Sequence, residues 1–312
     1  MNSSRSQSDN FDVCVVGNIG MDTNVYLPNN DINGSMFTEN LDYIGHAGGY
    51  SSKGFSALGF KTAFIGAVGR DMYGDYIVSH LENFNINTEG VFLDETGTHR
   101  SVNLVFPNGK RYYFYDGKNH MRSKPNLETA KDIIAKSKLI YFNIPNWSRY
   151  LLSFAHKLNK IVVTDVQDIP DMDDSYRSDF FKYSDLIFFS DEKTYDAENI
   201  IETLFNNYDI KIIISGLGAN GCLLGTRNSI RHFPAVELDL PVVDTNGAGD
   251  SLACGFSSSY FLENYNYEKS ILRGQICARY TCSIKASTDS LIKKSDLNKI
   301  FKEKLQQQES LN

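Results

Sequence analysis

An α/β fold, with helices packed around a mostly parallel sheet and a small antiparallel appendage, is predicted by three observations. Short apolar runs recur along the chain, at residues 13–17, 62–68, 139–142, 161–164, 186–189 and 210–214. Stretches with helical periodicity lie between them, at 73–83, 127–136, 147–158 and 197–206. Two segments, about 23–47 and 98–117, break that rhythm and carry no helical period.

Each element has a physical reason. The first run, Val13-Cys14-Val15-Val16-Gly17, is apolar without alternation and closed by glycine. A strand covered by helices on both faces reads this way, and strands alternating with helices build βαβ units on a parallel sheet. The second irregular segment alternates as Ser101-Val102-Asn103-Leu104-Val105-Phe106. It turns at Pro107-Asn108-Gly109-Lys110 and resumes as Arg111-Tyr112-Tyr113-Phe114-Tyr115, the pattern of a hairpin with one apolar face. No internal repeat and no low-complexity block occurs.

The chain has 312 residues and a mass of 35.2 kDa, suited to one large α/β domain or a domain with an appendage. Hydrophobic residues at 41% and charged residues at 22% exclude wholesale disorder. The net charge of −7 argues against a nucleic-acid partner, which needs phosphate-neutralising basic surface. An anionic ligand must then be held by a local device. No apolar run approaches the roughly 20 residues that span a bilayer, so no membrane partner is expected. Residues 1–10 read as a loose, disordered tail and not as a signal peptide, leaving 11–312 as the folded domain. Cys14, Cys222, Cys254, Cys277 and Cys282 form no C-x-x-C pair; they read as small hydrophobes in a reducing cytoplasm.

The chemistry concentrates in residues 241–256, PVVDTNGAGDSLACGF. A short apolar strand is expected at 241–243, then Asp244-Thr245-Asn246-Gly247-Ala248-Gly249-Asp250, then a helix from Ser251 to about Leu262. Glycines between a strand and a helix let main-chain N–H groups converge, and the helix dipole adds positive potential there. Such a loop binds phosphate without a lysine. A carboxylate beside an anion hole, Asp250, suits a base that takes a hydroxyl proton while the hole holds a moving phosphoryl group. The plainer reading is a tight turn with Asp250 as a dipole partner, but the full string arises by chance on the order of once in 10⁵ chains of this length.

D-T-x-G-A-G-D resembles the C-terminal signature of the ribokinase-like (PfkB) carbohydrate kinases. Gly17-Asn18-Ile19-Gly20-Met21-Asp22 is similar to that family's first strand with its sugar-contacting Asp. The stretch from Leu58 to Asp71 resembles its "LG…FIGAVG.D" region, and that from Ser215 to Gly221 its nucleotide loop. The likeness covers nearly the whole chain after the tail. It implies a ribokinase-like three-layer α/β/α fold whose mostly parallel sheet carries a β lid made of the two irregular segments. It implies ATP and magnesium as cofactors, Asp250 as catalytic base, and an anion hole of Gly247, Ala248, Gly249 and the Asp250 amide. Thr245 and Asn246 of the signature and Gly216 and Gly218 of the loop are the implied nucleotide contacts. Residues 285–290 match the region that borders adenine, and in several members a monovalent cation such as potassium is bound there through backbone oxygens near the positions of Asp244 and Asn246.

Gly216-Leu217-Gly218-Ala219-Asn220-Gly221 also matches G-x-G-x-x-G, with Glu237 21 residues after Gly216. The dinucleotide fingerprint requires a helix directly afterwards. Here the pattern from Cys222 to Pro234 is a hairpin, so that reading is rejected. The family's N-x-x-E, which helps to place magnesium, is Ser190-Asp191-Glu192-Lys193 here, leaving Asp191 and Glu192 as substitute ligands. In the sugar pocket, Gly45-His46-Ala47-Gly48-Gly49-Tyr50 puts Tyr50 where Asn is usual, or, with a short deletion, aligns Gly48 and Gly49 with the family's glycine pair. Tyr50 would stack on a ring or fill the lid interface. Asp165, Gln167 and Arg111 are secondary candidates.

The expected function is ATP-dependent phosphorylation of a primary hydroxyl of a small sugar or sugar derivative. The alternatives are a nucleoside kinase on the same fold and a non-catalytic regulator that binds sugar or nucleotide. The resemblance further suggests a homodimer formed through the lid.

Overall fold

The computed structural model describes residues 10–108, 110–171, 174–190, 196–286 and 288–311. The chain enters through β1 (Phe11–Val16), then forms β2 (Gly20–Tyr26) and β3 (Glu39–Gly45). Next come α1 (His46–Ala57), β4 (Thr62–Gly69), α2 (Met72–Asn83), β5 (Asn87–Asp94), β6 (His99–Val105) and β7 (Arg111–Asp116). The middle alternates α3 (Leu127–Ala135), β8 (Ser137–Phe142), α4 (Arg149–Lys157), β9 (Ile161–Asp165), α5 (Ser175–Tyr183), β10 (Leu186–Ser190), α6 (Ala197–Asn207) and β11 (Ile212–Gly216). A hairpin of β12 (Cys222–Thr226) and β13 (Ser229–Phe233) precedes α7 (Ala248–Ser257), α8 (Tyr267–Thr281) and α9 (Lys294–Leu311).

Among the described residues, nine strands form one sheet in the order β13-β12-β11-β10-β9-β8-β1-β4-β5. From β11 to β5 all neighbours are parallel; β12 and β13 are antiparallel. Successive residues of a strand point to opposite faces. Val13 and Val15 therefore join the core under α1, α2, α7, α8 and α9, whereas Cys14 and Val16 join the core under α3 to α6. All four are fully buried, which is why the strand carries no polar alternation. The three-layer α/β/α expectation holds.

A second sheet, in the order β3-β2-β6-β7, is the lid. Its central pair β2 and β6 is parallel, which corrects the antiparallel appendage expected: the two strands are not joined by a hairpin, the chain passing through β3 to β5 between them, and Asp22 lies opposite Ser101 and Asn24 opposite Asn103. Its outer pairs are antiparallel. The expected segments 23–47 and 98–117 fall on it, but β2 begins earlier, at Gly20, and residues 46 and 47 already belong to α1. Asp71 caps α2 by accepting the amides of Tyr73 (3.1 Å) and Gly74 (2.9 Å). It also accepts the Thr98 amide (2.8 Å) and hydroxyl (2.6 Å), which fixes where the chain enters β6.

Three further features depart from the sequence expectation. Helix α1, HAGGYSSKGFSA, holds three glycines and three serines, poor helix formers that hide its period. Packing overrides propensity: nine of its residues are buried. Edge strand β5 is read poorly from sequence because Thr88 and Glu89 interrupt its apolar character. Residues 241–243 are not a strand. Pro241 has no N–H to give, Val242 and Val243 are exposed, and the Val243 and Asp244 amides both turn to the carbonyl of Cys282.

Candidate active site

The signature loop lies between that extended entry and α7. Gly247 is the N-cap of α7 in the left-handed region, with φ +73. A side chain there would collide with the ring of Tyr50, whose Cε1 lies 2.1 Å from the position of a Cβ. The Ser251 amide starts the helix by donating to the Gly247 carbonyl at 2.9 Å, and the Ala248 amide reaches Thr245 at 3.3 Å. Among the described residues no main-chain acceptor takes the amides of Gly247 and Gly249. They are the donors a helix start leaves over. Nothing within 4 Å of Gly249 would meet a side chain, so the cradle opens outward at that residue.

Asp250 stands in the first turn of α7, and its Oδ1 is buried with no hydrogen-bond partner. Burial pushes its pKa well above the ordinary carboxylate range and the Asp165 carboxylate adds to the rise. Its own amide and the Ser51 hydroxyl oppose this, and Asp22 contributes a smaller upward push. Asp165 ends β9 and is buried, accepting the Gln167 amide at 2.8 Å. Burial raises its pKa to about 6 against the pull of that amide and of the Tyr141 hydroxyl. Two carboxyl groups withdrawn from water near one another, with raised proton affinities, are an arrangement suited to proton transfer. Gln167 itself is exposed; its backbone is left-handed (φ +64), and its carbonyl takes the Ser190 amide at 2.5 Å.

On the lid, Asp22 is buried and largely satisfied. Its Oδ1 accepts the Ser101 hydroxyl at 2.5 Å and lies 3.1 Å from His46 Nε2; its Oδ2 accepts the His46 amide at 3.2 Å. Burial alone would raise its pKa, but His46 and Ser101 outweigh burial and lower it. His46 is left-handed (φ +59) at the start of α1, its Nδ1 3.3 Å from Asn18 Nδ2 and its ring 5.1 Å from that of Tyr115. Gly48 packs against the Asn18 carbonyl, where a side chain would come within 2.4 Å, and donates its amide there at 2.8 Å. Gly49 makes ordinary contacts with Ile44 and Ile19. Tyr50 is buried, its ring between Gly247 and Tyr43, with Asp244, Asp22 and Asp250 near enough to help burial hold its phenol neutral.

Asp244, the first residue of the signature, is bound by the lid. Its Oδ2 accepts Asn24 Nδ2 (3.0 Å) and the Tyr26 hydroxyl (2.8 Å). Its Oδ1 accepts the Asn246 amide (3.0 Å) and lies 3.9 Å from Arg111 Nη1. Arg111 also donates to Asn246 Oδ1 (2.5 Å) and to Thr245 Oγ1. Of this network the sequence reading singled out Asp244, Thr245, Asn246 and Arg111, and it missed Asn24 and Tyr26. The signal for them was present: Asp22, Asn24 and Tyr26 follow one another at the two-residue strand period and share a face.

Gly216 closes β11, and Gly218 (φ +57) opens a single 3-10 turn before β12. No nucleotide-type helix follows, in agreement with the hairpin expected there. Gly221 (φ +91) could not be another residue, since a side chain would meet the Phe233 carbonyl at 2.1 Å. A depression of about 540 Å³ lies farther out, lined by Glu198, Leu217, Leu223 and His232, and touches no signature residue. Asp191 and Glu192 lie outside the described residues.

The model of the pfkB family of carbohydrate kinases matches residues 11–294. The chain is 27% identical to an acarbose 7(IV)-phosphotransferase of Actinoplanes sp., over 93% of this chain and 98% of that one. It is 22% identical to a nucleoside kinase of Methanocaldococcus jannaschii, over 80% of this chain and 82% of the relative. Its fold superposes on a microbiome-derived acarbose kinase, Mak1, with a TM-score of 0.87, 26% identity and coverage of 94% and 99% of the two chains. The family match spans both sheets and the signature loop, and so this chain belongs to the pfkB family of carbohydrate kinases.

Proposed function

We propose that the chain transfers the γ-phosphoryl group of ATP to a primary hydroxyl of a sugar, with Asp250 as general base. The observation that carries this is the Asp250 carboxylate: its buried Oδ1 has no partner, and Asp250 stands in the first turn of α7, directly after Gly247 to Gly249, whose first and last amides are unpaired. A hydroxyl that approaches Oδ1 finds an acceptor whose raised proton affinity makes it a stronger base than a surface aspartate. The Gly247 and Gly249 amides then donate to the oxygens of the group in flight, and the α7 dipole favours the same charge. Gly216 and Gly218 border the nucleotide. The lid covers the acceptor and keeps water from competing for the phosphoryl group.

Magnesium suits these residues, because Asp165 offers a hard carboxylate oxygen near Asp250, and Asp191 and Glu192 follow β10 directly in sequence. When bound, it neutralises charge on the phosphate oxygens.

The inner and outer faces of the lid divide the remaining roles. Arg111, Tyr113 and Tyr115 alternate with Tyr112 and Phe114 along β7, and Arg111 reaches the signature loop, so the first set faces the site. Asp22, His46 and Tyr115 line the acceptor side there. The exposed ring of Tyr113 on this face favours an acceptor with a further sugar unit outside the pocket, a second reading that the likeness to an acarbose phosphotransferase and an acarbose kinase supports. A nucleoside acceptor is less favoured, since the Tyr50 ring is taken up between Gly247 and Tyr43. A non-catalytic regulator has no use for an unpaired base beside an open cradle. On the outer face, Val102, Tyr112 and Phe114 are exposed together, and a homodimer joined through the lid would cover them. Free cysteines, four of them buried, suit residence in a reducing cytoplasm.

A coupled ADP-release assay over pentoses, hexoses, sugar acids, nucleosides and acarbose tests the acceptor class. Turnover with a saccharide is expected. Turnover with nucleosides alone would reject the proposal, and molecular mass in solution decides the dimer.

A further inference from the structure

The inner face of the lid carries side-chain amides whose orientation is fixed from one end. Asp22, Asn24 and Tyr26 of β2 share this face with Ser101, Asn103 and Val105 of β6, and with Tyr115, Tyr113 and Arg111 of β7. It meets the signature loop, because Asn24 and Tyr26 reach Asp244 and Arg111 reaches Asn246. Asn24 Nδ2 donates to Asp244 Oδ2 at 3.0 Å, so Asn24 turns its own Oδ1 the other way and accepts Asn103 Nδ2 at 2.9 Å. Asn103 is left with its Oδ1, which is buried without a hydrogen-bond partner among the described residues, on a residue only 3% exposed. Turning the Asn24 amide over would set its oxygen against the Asp244 carboxylate. Turning the Asn103 amide over would set two amide oxygens against each other. The unused group is therefore an acceptor and not a donor. It sits at the seam between the two halves of the site: Ser101, two residues earlier on the same face, donates to Asp22, and Asn24, directly opposite, is held by Asp244.

A buried carbonyl oxygen without a donor costs free energy, and native structures keep few of them. We infer that Asn103 is a specificity-determining residue of the acceptor site, its Oδ1 accepting a hydrogen bond from a saccharide hydroxyl other than the one that receives the phosphate. This assignment rests on the sugar-kinase reading above and narrows it: the acceptor carries a hydroxyl donor toward the lid. A deoxy position there leaves the Asn103 oxygen buried and unpaired, and an ether or a carboxylate sets acceptor against acceptor. The first aspartate of the signature takes part through Asn24, since it decides which end of the Asn103 amide meets the sugar.

A kinetic cycle between hydroxyl and side chain tests the contact. The full-length protein is assayed by ADP release with D-glucose, D-fructose, D-ribose and acarbose. The saccharide with the highest kcat/KM is then compared with analogues that lack one hydroxyl at a time on the phosphorylated ring. For the wild type, removal of one non-reacting hydroxyl is expected to lower kcat/KM by about tenfold or more, chiefly through KM. In Asn103→Ala the same removal is expected to change kcat/KM by less than about twofold, while the other hydroxyls keep their wild-type effects and the parent saccharide shows a raised KM. Asn103→Ser, whose hydroxyl can still donate to Asn24, is the second variant where alanine lowers the thermal midpoint too far for assay. A hydroxyl effect that persists undiminished in the variants would overturn the inference, as would a wild type indifferent to every non-reacting hydroxyl. An equal loss with the parent and all its analogues would assign Asn103 to lid packing and overturn it too. A wild type that turns over none of these saccharides would reject the sugar-kinase reading and the contact with it, whereas turnover without the coupling rejects the contact alone.

Discussion

Gly247→Ala puts a methyl group where the structure has no room for one. The residue is left-handed at φ +73, a conformation that costs an L side chain about 1–2 kcal/mol. The new Cβ would lie 2.1 Å from Tyr50 Cε1 and 2.2 Å from Cδ1. The ring has little freedom to withdraw, being 5% exposed and set edge-on against Tyr43 with centroids 6.1 Å apart. Overpacking of this kind costs about 1–3 kcal/mol. The sum, about 2–5 kcal/mol, is a large share of the stability of an ordinary domain. Turnover falls as well, because tilting the turn misdirects the Gly247 and Gly249 amides, and one lost donor of this type costs about 10²–10³ in kcat. Urea unfolding of the wild type, Gly247→Ala, Tyr50→Ala and the double variant separates the two contributions. In the double variant the overlap disappears and only the backbone cost remains, so the two substitutions couple by about 1–3 kcal/mol. Additivity within about 0.5 kcal/mol would refute the contact on which the estimate stands.

Other expectations follow from the same geometry. Asp165 binds its proton more tightly folded (about 6) than unfolded (3.8), so stability is greatest in acid and falls as pH rises through that window. Asp165→Asn flattens the fall by about 3 kcal/mol above pH 6, at about 1.4 kcal/mol per pKa unit, measured by urea midpoints from pH 4 to 8. Turnover of the wild type rises with pH through the raised pKa of Asp250, and Asp165→Asn moves that limb to lower pH by removing a like charge; an unmoved pH–rate profile would contradict the pairing. The Lys53 side chain is fully buried and bonds Thr288 (2.9 Å) and Asp289. Asp289 is half exposed, so Asp289→Ala leaves the buried ammonium with Thr288 and the Phe84 ring and costs about 1–3 kcal/mol, whereas Lys53→Met changes unfolding free energy little; equal losses would contradict this. Asp22→Asn removes the negative partner of His46 on the acceptor side, and kinetics should show a raised acceptor KM with a smaller change in kcat.

Sequence patterning carried the main sheet well because its strands are buried on both faces, so each of the apolar runs from residue 13 to residue 214 falls on an observed strand. Where tertiary packing decides, patterning fails. Helix α1 forms from glycine and serine because it is buried, and residues 241–243 stay unpaired although they are apolar. The site divides along a similar line. The signature string gave the turn, the cradle and Asp250, since a left-handed glycine and a first-turn carboxylate are local features. The clamp of Asn24, Tyr26 and Arg111 on Asp244 joins residues separated by more than 130 positions, and no local pattern records that meeting. No local pattern marks His46 either, since its contact with Asp22 depends on a left-handed backbone at a non-glycine residue.

The measurement that bears most directly on the account is steady-state ADP release by Asp250→Asn, with MgATP binding measured alongside. Asparagine keeps the shape of the side chain and removes its capacity to take a proton. Binding of MgATP and thermal stability equal to or above the wild type are expected, since a buried carboxylate is relieved, while kcat drops by about 10²–10⁴-fold. A variant that binds nucleotide and still turns over at the wild-type rate would contradict the assignment of Asp250 as the base.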